Sequence, residues 1–186
     1  MAYATAPAPN GSDSIPSTVH AASSANDALA RGTLTKGVPT KGTLAKGMLD
    51  SIVPSTATKQ AYLVFTIPGT SYKIYCLFDG DLSASVGKRI KGTISVDARR
   101  VDHVNAGGKF VEPVFGKPRR IQGLVTAVDA TAGTMVVDAG GGAVPGFDHG
   151  LPIIAKVTDP RQKATDYAVG SMVMFDCPQW PTFKQA

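Results

Sequence analysis

AYLVFTIPGTSYKIYCLF, residues 61–78, decides the class of this chain. Its first seven residues are β-branched, aromatic or small apolar, and Pro68-Gly69 then marks a turn. Residues 71–78 alternate, so that Tyr72, Ile74, Cys76 and Phe78 share one side. A period of two with a turn between the runs predicts a hairpin whose one face is buried.

The same texture continues downstream. Residues 88–97 (KRIKGTISVD) place Ile90, Gly92, Ile94 and Val96 on one face and Arg89, Lys91, Thr93 and Ser95 on the other. Gly92 inside that run predicts a bend or bulge. Residues 98–104 fit either a strand continuation or a short helix, and residues 109–115 fit a short edge strand interrupted by Pro113. Residues 119–129 and 134–139 flank a four-residue connection with Gly133, the clearest hairpin in the chain. Residues 151–158 and 171–177 are the last strands, and residues 178–186 read as a proline-bracketed tail carrying Trp180 and Phe183 that can wrap back on the body.

Six to eight short strands at this spacing, with almost no helical periodicity, predict an all-β domain, either a small curved barrel or a sandwich, over residues 61–178. Segments such as VGKRIKGTISV and IQGLVTAVD resemble the curved strands of the OB-fold and cold-shock barrels. The likeness covers about half of the body. The aromatic RNA-stacking signature of cold-shock domains is absent from it.

Upstream, residues 1–60 read as an extended, largely irregular arm. Residues 1–31 are dominated by Ala, Ser, Thr, Pro and Asn. A pentapeptide repeat follows over 32–51 (GTLTK, GVPTK, GTLAK, GMLDS), with glycine at 32, 37, 42 and 47. Glycine at every fifth position penalises helix by about 1 kcal/mol each time, and a period of five gives no single apolar face on helix or strand. The repeat still carries Leu34, Leu44 and Leu49 in register, alternating with Lys36, Lys41 and Lys46. These six residues are expected to dock the arm on a protein partner or a neighbouring subunit, the leucines buried and the lysines solvated.

The net charge of +5 is uneven. Residues 86–120 hold Lys88, Arg89, Lys91, Arg99, Arg100, Lys109, Lys117, Arg119 and Arg120 against Asp97, Asp102 and Glu112, which is +6 on that segment alone. Lys88, Arg89, Lys91, Lys117, Arg119 and Arg120 would form one polyanion-binding patch if their strands were adjacent, because Lys and Arg displace the counterions condensed on phosphate. Phe110 and Phe115 lie between them in sequence. Core packing is the expected role of both, with base stacking the alternative; Trp180 likewise reads as packing.

Catalytic patterns do not emerge. Asp148-His149 lacks a third group to orient it. AGGK at 106–109 and AGGG at 139–142 are not phosphate loops, and GxSxG, HExxH and CxxC are absent. The three histidines and two cysteines have no zinc spacing, so no metal or cofactor is expected, and Cys76 and Cys177 are expected to be reduced and buried. No apolar run approaches the ~20 residues of a membrane helix, and the N-terminus has no secretory pattern, which makes the cytoplasm the expected location. Together these readings describe a non-enzymatic assembly or binding module, with single-stranded nucleic acid as the alternative partner and a small-molecule substrate not expected.

Overall fold

The computed structural model describes residues 42–105, 107–140 and 150–186. These form an all-β structure of eleven strands in one mixed sheet: β1 (Ala45–Val53), β2 (Tyr62–Thr66), β3 (Lys73–Phe78), β4 (Arg89–His103), β5 (Phe110–Glu112), β6 (Phe115–Gly116), β7 (Arg120–Asp129), β8 (Thr134–Asp138), β9 (Pro152–Val157), β10 (Met172–Asp176) and β11 (Thr182–Gln185). No helix among the described residues is long and apolar enough to cross a membrane.

The pairing returns on itself twice, both times through β4. One circuit runs β1–β2–β3–β11–β4 and closes by an antiparallel β4–β1 pair. The other runs β4–β10–β7–β8–β9 and closes by a parallel β9–β4 pair. The long strand serves both because its length is divided: Arg89–Gly92 meets β1, while residues 95–98 meet β9 and residues 99–103 meet β10. Arg100, with a φ of 54°, lies where one extra β4 residue interrupts the β10 register. A bulge of this kind bends a strand and sharpens its twist. Residues 98–103 are therefore strand, which resolves the ambiguity left by their composition.

The alternation read at 61–78 and 88–97 is the one observed. Leu63, Phe65, Ile74, Cys76, Ile90, Ile94 and Val96 point inward and are buried, and the inward residues of both circuits form one continuous core. The hairpin at 119–139 pairs Asp129 with Thr134. Its turn is held by the Asp129 carboxylate, which accepts the N–H groups of Thr131 and Ala132 at 2.9 Å.

Two boundaries differ from the expectation. The sheet begins at Ala45 rather than near residue 61, because the last part of the repeat is β1. A five-residue glycine period does not exclude a strand here: Ala45, Gly47 and Leu49 fall on the inward side with a period of two. Gly47 lies under the Phe65 ring, and Gly92 lies under the Phe183 ring and the Lys184 carbonyl. Those two rings sit 5.4 Å apart, centroid to centroid. The glycines make room for aromatic filling inside the first circuit, a packing role rather than a turn role. At the other end, residues 178–186 are not a tail laid on the surface. They contain β11, inserted between β3 and β4 with Phe183 only 1% exposed.

Candidate nucleic-acid interface

Outward positions on β2 and β3 carry aromatic rings. Tyr62 and Tyr75 project from the side opposite Leu63 and Cys76, and their rings stack at 4.9 Å with 25° between planes. Trp180, in the segment leading into β11, lies 5.3 Å from Tyr62 at one end. Phe115 of β6 lies 5.5 Å from Tyr75 at the other, edge to face. The result is a row of four rings, Trp180–Tyr62–Tyr75–Phe115, on the surface of the first circuit. Val64 of β2, opposite Tyr75 of β3, is buried on this outer side. Phe115 is 59% exposed, which corrects the expectation that it packs in the core: β6 is a two-residue edge pairing with β3 that presents the ring outward. Burial, followed by the neighbouring Tyr62 and Asp50, raises the Tyr75 hydroxyl above the ordinary tyrosine range.

Lys73 ties the aromatic row to the rest of the face. Its ammonium stands 5.8 Å from the Phe115 ring centroid and 3.6 Å from the Asp50 carboxylate. The ion pair is half exposed and contributes little to stability, whereas the cation over the ring leaves a positive charge beside a stacking surface. Strand register continues the line. Phe115 is level with Lys73, Lys73 with Thr66, Thr66 with Met48, and Met48 with Arg89. With adjacent strands about 4.8 Å apart, this transverse row covers roughly 19 Å of curved surface.

At its far end lies a recess of about 330 Å³ lined by Lys46, Gly47, Arg89, Ile90, Lys91, Gln185 and Ala186. Lys46 is directly opposite Lys91 in the β1–β4 pair, so three cationic side chains meet where two strands of the outer face adjoin.

The structure thus redistributes the residues singled out by sequence. Lys46 from the repeat joins Arg89 and Lys91 from the basic segment, a grouping that linear spacing did not suggest. Lys88 precedes β4 at the same end; its N–H donates to the Ser85 carbonyl. Lys117, Arg119 and Arg120 are elsewhere. Arg120 opens β7 and the other two lie just before it, and β10 separates β7 from β4. Arg120 pairs with Asp176 at 3.3 Å, and Asp176 meets β4 at Arg99, well along the strand from Arg89. Lys117 Nζ donates to the Pro178 carbonyl at 2.9 Å. The six cations are therefore two groups, not one patch.

Among the arm residues, Leu34, Lys36 and Lys41 lie outside the described residues. Leu44 is half-buried beside β1 and Lys46 is exposed. Leu49 is fully buried in the chain's own core, so its expected docking on a partner is corrected: its pocket is intramolecular. Asp148 and His149 also lie outside the described residues. Both cysteines are free and buried. Burial pushes the Cys177 thiol up to about 12, with Asp176 adding to the shift, and raises Cys76 still further. Neither is a thiolate nucleophile.

Sequence reasoning missed Tyr62, Tyr75 and Trp180 as surface groups. The signal was present for two of them. If Ile74 and Cys76 face inward, Tyr75 must face outward, and an outward aromatic pair across a hairpin is unusual enough to mark a surface. Comparison with protein-family models, with curated proteins and with solved structures finds no match to this chain.

Proposed function

We propose that the protein is a non-enzymatic module that binds single-stranded nucleic acid across the outer face of the first circuit. The observation that carries this reading is the row Trp180–Tyr62–Tyr75–Phe115, joined through Lys73 to the cationic recess at Lys46, Arg89 and Lys91. Aromatic rings offer a π-face to any base, and alanine substitution of one such ring costs about 1–3 kcal/mol per stacked base. Lysine and arginine at the end of the same surface supply phosphate contacts without reading sequence.

In this reading the first circuit is the small curved barrel of OB type. Barrels of that type bind oligonucleotides on the face of their second and third strands and through the neighbouring loops. Here β2 and β3 carry the tyrosines, and the chain that returns from the second circuit to β11 brings Trp180 beside them. The strand's bases would lie along the rings and its phosphates would run toward Lys73 and the recess.

Titration of the full chain with short single-stranded RNA and DNA at low and high salt tests the proposal. Affinity is expected to fall steeply with salt, and Tyr75→Ala is expected to weaken binding by about 5- to 150-fold, the loss of one stacked base. Replacing Lys46 and Lys91 together by Ala is expected to flatten the salt slope by about 1.4, two phosphates at ~0.7 each. Absence of binding at low salt, or binding indifferent to Tyr75, refutes the proposal.

A further inference from the structure

The aromatic row does not end at open solvent. Beyond Trp180 lies a groove of about 290 Å³ on the surface of β4, at the junction of the two circuits. Its lining brings Ser95 and Asp97 of β4, Ile154 and Lys156 of β9 and Thr134 of β8 to the edge of the indole. Two of these are charged and directly opposed in register, since Asp97 is level with Lys156 in the parallel β4–β9 pair. They do not form an ion pair with each other, and neither forms one with any other described residue. The Asp97 carboxylate also accepts no hydrogen bond from a described residue. A carboxylate and an ammonium facing one groove from adjacent strands, yet too far apart to satisfy each other, present an acceptor and a donor separated by a gap.

We infer that this groove reads a guanine base at the end of the bound strand, an inference that rests on the single-strand reading of the aromatic row. Guanine matches the polarity of the two groups. Its N1–H and exocyclic N2 amine are adjacent donors suited to the two oxygens of one carboxylate, and its O6 is an acceptor for an ammonium. The indole of Trp180 supplies a stacking face continuous with Tyr62, and Ile154 supplies an apolar wall. The other bases fit less well. Adenine and cytosine turn a ring-nitrogen lone pair toward Asp97. Uracil and thymine offer one N–H to the carboxylate but set O2 against its second oxygen. A carboxylate accepts and never donates when ionised, so each mismatch places lone pair against lone pair. Selectivity of this kind comes from rejection as much as from attraction.

Trp180 is the only tryptophan in the chain, so its fluorescence reports on the end of the row where the groove begins. The experiment uses the full protein and short oligodeoxyadenosine strands carrying one guanine, thymine, cytosine or hypoxanthine at the 5′ end or, in a second set, at the 3′ end. Trp180 quenching and strand anisotropy are followed together. The guanine strand is expected to bind about tenfold more tightly than the all-adenine strand, the discrimination of one bidentate contact. Hypoxanthine, which lacks the N2 amine, is expected to lose most of that advantage. Asp97→Asn is expected to erase the guanine preference while leaving the affinity for the all-adenine strand within about twofold, because strand stacking and phosphate contacts are untouched. Lys156→Met, on a different strand, is the second variant and is expected to erase the preference as well. Equal affinity for all strands, or a guanine preference that survives both variants, overturns the pocket and leaves strand binding standing. Failure of every strand to bind at low salt overturns both.

Discussion

Substituting Gly92 by Ala tests the packing that closes the first circuit. A Cβ at this position would lie 2.5 Å from Cζ of Phe183 and closer still to the carbonyl oxygen of Lys184. A ring can shift by small rotations. The carbonyl belongs to β11, whose four residues are paired with Gly92–Ser95 in one direction, and two of them, Thr182 and Phe183, with β3 in the other. Relief therefore requires β11 to move as a unit, with Phe183 drawn out of a site where it is 1% exposed. Overpacking of a well-filled core costs about 1–3 kcal/mol, and the backbone partner places Gly92→Ala toward the upper end. The smaller entropy of the unfolded alanine chain returns about 0.4–1 kcal/mol, leaving a net destabilisation of about 2 kcal/mol. Urea unfolding followed by Trp180 fluorescence would read this as a midpoint lower by roughly 1 M, with the slope unchanged. Gly42→Ala is the control, since a Cβ there meets nothing within 4 Å; it should remain within about 0.5 kcal/mol of the parent, as surface changes do. Phe183→Leu in the Gly92→Ala background should recover little, because the carbonyl contact remains. Equal midpoints for the two glycine variants would refute the close approach of β11 to β4.

Other outcomes follow from single features. Leu49→Ala should destabilise the isolated protein by about 2–5 kcal/mol, because Leu49 is 0% exposed in the core of its own chain; an unchanged midpoint would return that residue to a docking role. Deleting residues 1–53 should abolish cooperative unfolding by removing β1 from both of its pairings. The thiol of Cys177 ionises near pH 9 in the unfolded chain and only near about 12 in the folded one. Its contribution is thus complete below pH 9 and is lost between those values at about 1.4 kcal/mol per pH unit. Cys177→Ala should lessen the alkaline slope of stability, and thiol reagents at neutral pH should label neither cysteine until denaturant is added.

Local alternation made the class legible. The face assignments at Ile74, Cys76, Ile90, Ile94 and Val96 follow from a period of two, and the hairpin at 119–139 from its turn. What sequence did not carry was long-range pairing. Nothing local to AKGML or PTF says that residues 45–53 and 182–185 fill adjoining places around β4. Gly47 and Gly92 read as breakers because the rings that cover them, Phe65 and Phe183, are distant in sequence. The site was obscured for the same reason. Lys46 and Lys91 belong to segments of different character and meet only through β1–β4 register, while Trp180 reaches Tyr62 only after the second circuit has been traversed. Conversely, Arg120 looked available for a patch because its partner Asp176 is brought beside it only by the β7–β10 pairing.

The interleaving of the two circuits bears on how the protein is made. Every strand of the second circuit precedes β11 in the chain, so on the ribosome that circuit can close while the first still lacks a member. Until residues 182–185 emerge, β3 and the front half of β4 each hold an open edge, the kind of edge that pairs with other nascent chains.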